Sequence, residues 1–112
     1  MAVSSGTYND TLQRRADWSR TLEFLDENDE PISLIGWTAA AQAWDKERTV
    51  KYADFTISYI DRSLGKIKIS VGKAVTATFP DEIYFDVAMT DPNGFKDYYL
   101  EGILYVSEGY TE

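Results

Sequence analysis

Apolar and polar residues alternate with period two through most of this chain, and that alternation predicts strands. In "DWSRTLEFLD" Trp18, Leu22 and Phe24 fall on one face and Ser19, Thr21 and Glu23 on the other. Arg20 interrupts the apolar row. "ENDEP" predicts a turn that Pro31 closes, and "ISLIG" follows with Ile32 and Leu34 before Gly36 redirects the chain. "ADFTISYID" aligns Phe55, Ile57 and Tyr59, "RSLG" turns, and "KIKISV" answers with Ile67, Ile69 and Val71, which together read as a hairpin. "IYFDVAMT" sets Ile83, Phe85, Val87 and Met89 against Tyr84, Asp86, Ala88 and Thr90. "DPNG" then turns the chain into "DYYLEGILYVS" as a second hairpin, with Pro92 fixing φ and Gly94 free to take a positive φ.

Two stretches are less regular. "WTAAAQAWDKERTVKY" has the alanines of a helix, yet it also alternates, and a strand is expected because its neighbours are strands. "GKAVTATFPDE" is a connection whose apolar residues tuck under a sheet. With residues 1–13 as an N-terminal arm or first strand and 14–112 as the body, about seven short strands with turn signals every 8–12 residues or so describe an immunoglobulin-like antiparallel β-sandwich. "FPDEIYFDV" also has the look of that fold's tyrosine corner, with Tyr84 as the tyrosine. The chain has no cysteine to pin the sheets, so Trp18, Trp37 or Trp44 must fill that space. The expected core is Trp18, Leu22, Phe24, Ile67, Ile69, Phe85, Val87 and Leu104.

Composition narrows the function classes. The chain has 112 residues, enough for one core. The absence of cysteine and histidine removes thiolate chemistry, a Ser-His-Asp triad and most zinc sites. A net charge of −8 argues against nucleic acid and against anionic membranes as partners. The chain contains no run of about 20 apolar residues to span a bilayer, and "MAVSSGTYND" lacks the basic and apolar regions of a signal peptide. Synthesis in a cytoplasm is the expectation, and no cofactor is expected.

Few residues invite a chemical role. "DENDE", residues Asp26 to Glu30, could be a calcium loop, but it lacks the glycine and terminal glutamate of an EF-hand, so a solvated turn and no metal are expected. Asp86 faces solvent beside Tyr84 if the alternation holds; turned inward, it would need a cation such as Arg20. Asp86 and Glu101 could be taken as a carboxylate pair for glycoside hydrolysis, but so short a chain has no insertion to form its cleft. The tyrosines Tyr8, Tyr98, Tyr99, Tyr105 and Tyr110 are candidate interface residues. Tyr98 and Tyr99 are adjacent, which predicts one in the core and one on the surface.

The order of "ADWSRTLEF", "DENDEPISLIG", "LGKIKIS", "VTATFPDEIYFDV", "DPNG" and "LEGILYVSEGYT" resembles short phage and prophage virion proteins, including the immunoglobulin-like N-terminal domain of siphophage upper baseplate proteins. The resemblance runs from about Asp17 onward. It implies a non-enzymatic structural component of a tail or baseplate, located in the virion, multi-copy or homo-oligomeric, and docked on other virion proteins. Members of that family commonly continue into coiled coils or receptor-binding regions. A chain ending at Glu112 leads to the expectation of an assembly or adaptor role. The N-terminal arm, poor in apolar residues, would order on a neighbouring subunit. The alternatives are a carbohydrate-binding module for host attachment, which coplanar exposed aromatics on one face would favour, and a capsid decoration protein. A small carboxylate hydrolase is the third class.

Overall fold

The computed structural model of the chain describes residues 2–3 and 6–109, with side chains from position 6 onward. The strands are β1 (Ala2–Val3), β2 (Gly6–Thr7), β3 (Asp10–Gln13), β4 (Trp18–Phe24), β5 (Thr38–Trp44), β6 (Lys51–Asp54), β7 (Thr56–Asp61), β8 (Lys66–Val71), β9 (Glu82–Thr90) and β10 (Lys96–Ser107). A single 3₁₀ turn, Arg62–Leu64, joins β7 to β8, and one helical turn, α1 (Lys73–Thr76), lies between β8 and β9.

The strands form two sheets, β1-β4-β8-β7 and β2-β10-β9-β5-β6, with β3 also on the edge of β10. That distribution is an immunoglobulin-like sandwich: β4, β8 and β7 take the places of strands B, E and D, and β5, β9 and β10 those of C, F and G. The count exceeds about seven because the N-terminal segment is broken into short pieces and β6 adds an edge strand beside β5. The alanine-rich stretch is indeed strand. Ala39, Ala41 and Ala43 point inward, and no interior position has to accept a large side chain there.

All eight expected core residues are buried, together with Leu12, Leu34, Phe55, Phe79, Ile83, Met89 and others. Of the three tryptophans, Trp18 does the work a disulfide would do. Its ring packs on Phe55 at 5.7 Å, and Phe55 packs on Phe85 at 6.2 Å, so an aromatic row links β4 of one sheet to β9 of the other. Phe55 is where the chain leaves β6 for β7, and its N–H is held by the Ala41 carbonyl at 2.9 Å. The Trp18 indole N–H finds no acceptor among the described residues. Such a donor costs about 1–3 kcal/mol, which the packing of the ring must exceed. Trp37 lies at the core's margin.

Of the two forms expected for the N-terminal segment, an arm or a first strand, the structure shows strand. β2 and β3 pair in parallel with β10, Leu12 is buried, and the Tyr8 N–H donates to the Glu101 carbonyl at 2.9 Å. Gly102 makes this possible. A Cβ there would stand 1.7 Å from the Tyr8 carbonyl oxygen, so only glycine lets the two backbones approach. The connection after β8 contains the helical turn α1, and it buries Thr76 and Phe79 while Val75 stays exposed.

Two outcomes follow for stability. Phe85→Ala should cost about 3–5 kcal/mol in urea unfolding, since it removes one end of the aromatic row. Gly102→Ala should leave the sandwich folded but free residues 6–13 from β10. Amide exchange would show this as lost protection at Tyr8 and Leu12, with β4 and β9 unchanged.

Candidate functional site

The register of three strands builds a concave surface on the larger sheet. β9 pairs with β10 and with β5, so its outward residues define rows across the outer face of the larger sheet. Ile103, Tyr84 and Trp44 form one row, and Glu101, Asp86 and Gln42 form the next. A third row is Tyr98, Ala88 and Ala40, where the two alanines leave the surface low. Between these side chains and the Asp45–Arg48 turn lies a groove of about 440 Å³, with a smaller recess of about 110 Å³ beside it over Ala40 and Ala88.

Its walls are fixed from several directions. The Trp44 indole N–H donates to Gln42 Oε1 at 3.0 Å, and Gln42 Nε2 donates to Asp54 at 2.8 Å, so Gln42 is held at both ends. Asp45 accepts the N–H groups of Thr49 (2.6 Å) and Val50 (3.0 Å) and the Thr49 hydroxyl, which winds the turn tightly. Arg48 sits in that turn at φ 58°, and its guanidinium lies over the Trp44 ring at 4.7 Å. Asn9, on the N-terminal segment, lines the groove and accepts the Ile103 N–H at 2.9 Å.

Asp86 occupies the middle of this face. Partial burial pushes its carboxyl above the ordinary range, Arg48 and Lys96 pull it down, and the neighbouring Glu101 carboxylate raises it again. It does not pair with Arg20. Arg20 instead binds Asp10 through Nε at 2.5 Å and stacks on Trp18 at 5.0 Å, which is how a cation is tolerated in an apolar row. Burial alone would raise Asp10, but hydrogen bonds from Arg20, the Thr11 N–H and Tyr8 hold it below its usual value.

The tyrosines expected at an interface are scattered. Tyr98 and Tyr105 are exposed on the outward side of β10, Tyr98 with the Lys96 ammonium over its ring at 5.4 Å. Tyr99 is packed against Phe24 and Trp37, so of the adjacent pair one is internal and one external, as alternation required. Tyr8 is half-buried and donates its hydroxyl to Asp10. Tyr110 lies outside the described residues. Tyr84 is not a tyrosine corner: its hydroxyl donates to the Glu82 side chain at 2.8 Å rather than to upstream backbone.

A second surface, not singled out from the sequence, gathers at the end of the sandwich where β4, β7 and β9 finish. The Leu34 N–H donates to the Arg62 carbonyl at 2.6 Å, and Arg62 Nη1 donates to the Trp37 carbonyl at 2.9 Å. A Cβ on Gly36 would lie 3.0 Å from Pro92, so all three loops brace one another. They carry the exposed apolar side chains Ile35 (65%), Leu64 (44%) and Phe95 (69%). The "DENDE" turn beside them closes on itself, with the Asp26 carboxylate accepting the N–H groups of Asn28 and Glu30.

No family model matches this chain, and no curated protein sequence matches it.

The two aspartates should respond to pH in opposite senses. Asp10, depressed in the fold, stabilises it above its unfolded pKa of about 4, and that contribution is lost as pH falls through the folded value. Asp86, raised in the fold, weakens it as pH rises past about 4. Asp10→Asn should therefore be less stable than wild type at neutral pH, and Asp86→Asn as stable or more so. Both differences should shrink below about pH 4 in urea unfolding curves.

Proposed function

We propose that this protein is a non-catalytic structural module of a phage tail or baseplate, and that it works by docking on other virion proteins. The observation that carries the reading is the braced loop end. Ile35, Leu64 and Phe95 are large apolar side chains held in water on loops that are themselves tied down. Single exposed apolar residues need no explanation, whereas several on one rigid end mark an interaction site. Rigid loops also lose little freedom on binding, which favours a stable contact.

The order of sequence motifs from Asp17 onward supports placing this contact in a virion. The lack of histidine and cysteine in the sequence is in keeping with work done by a surface rather than by acid–base or nucleophilic chemistry. The pairing of residues 6–13 with β10 holds that segment on its own sheet, which favours the loop end as the contact.

The test is co-purification of the full chain with the products of the genes that flank its own, alongside its hydrodynamic mass. The expected result is a complex with tail or baseplate proteins, weakened at least tenfold in affinity by Phe95→Asp or Ile35→Asp, with far-UV circular dichroism unchanged. A chain that stays monomeric and binds none of those products refutes the reading. So does a complex indifferent to both substitutions.

A further inference from the structure

We propose that the groove on the outer face of the larger sheet is a binding site for a neutral pyranose sugar. This goes beyond the docking role, and it concerns a different surface. The groove lies toward the Trp44 end of β5, whereas the braced loops lie beyond Thr38, at the strand's other end.

The shape comes first. About 440 Å³ of concave space is within the roughly 300–1,000 Å³ typical of small-ligand sites, and it is formed by strands rather than by mobile loops alone. Apolar area comes from Tyr84, Ile103 and Trp44, which share one row of the sheet. The C–H face of a pyranose is flat and apolar and packs on such a surface, while its hydroxyls need partners around the edge.

Those partners are present and open. Neither the Asp86 nor the Glu101 carboxylate accepts a hydrogen bond within the described residues, so both remain acceptors for hydroxyl groups. The two face each other directly across β9 and β10. Donors stand on either side in the Asn9 amide and the Arg48 guanidinium. A neutral polyol, which donates and accepts at every hydroxyl, uses both kinds at once, and hydrogen bonds to the charged groups are the stronger ones.

Charge selects among other occupants. Paired carboxylates in a chain of net charge −8 repel uronic acids, phosphates and nucleic acid. A basic peptide would meet Arg48 and Lys96, the cations that already act on Asp86. A neutral sugar meets neither penalty.

The experiment is a nitrogen-15 NMR titration of the full chain with glucose, galactose, mannose, N-acetylglucosamine and their short oligomers. A hexuronic acid oligomer and a lysine-rich peptide complete the set. At least one neutral saccharide should bind with a Kd of about 1 mM or tighter, with saturable shifts at the Trp44 indole and the Asn9 amide. Asp86→Asn and Glu101→Gln should each weaken it at least tenfold without loss of fold, while Phe95→Asp leaves it unchanged. Neutral saccharides that shift none of these signals overturn the proposal. Binding of only the uronic acid or the peptide in the groove overturns it as well.

Discussion

The register of β9 between β5 and β10 is the constraint from which the rest follows. This strand, buried between two partners, sends Phe85, Val87 and Met89 inward and Tyr84 and Asp86 outward. A slip of one residue would exchange the two sets, placing a carboxylate in the core and three apolar side chains in water. The inward set completes the row from Trp18 through Phe55 to Phe85, which ties the sheets together without a covalent bond. The outward set makes the rows that border the groove. Core and candidate site are thus two faces of one pairing decision.

Alternation in the sequence was enough to read that decision within each strand. It was enough because both sheets bury one face and leave the other wet, so side-chain type reports direction. Trp18, Leu22, Phe24 and Phe85 were legible for this reason, and so was the fold class. What lay between strands was not. Tyr99 is an extra residue opposite Val87, and this bulge changes the pairing by one along the rest of β10. An unbroken hairpin around "DPNG" would set Asp86 opposite Leu100; the bulge sets it opposite Glu101. Nothing in "KDYYLEG" announces that shift, so the carboxylate pair was visible as two residues but not as neighbours.

The N-terminal segment shows a second limit. Its composition is too polar to fold by itself, which left open an arm or a first strand. Its partner is a backbone edge rather than an apolar face, and backbone pairing carries no hydropathy signal. One clue is Gly102, whose missing side chain admits the Tyr8 carbonyl. In the same way Ile35, Leu64 and Phe95 sit in separate turns, and those turns share one end of the sandwich because Arg62, Gly36 and Pro92 bring them together.

Core and groove both depend on the β9 register, and interstrand nuclear Overhauser contacts measure it most directly. Backbone protons of Asp86 should show contacts to both Gln42 on β5 and Glu101 on β10, with Phe85 contacting Ala43 and Gly102. Contacts from Asp86 to Ala41 and to Leu100 would place the strand one residue out. That result would dissolve the groove and contradict the core.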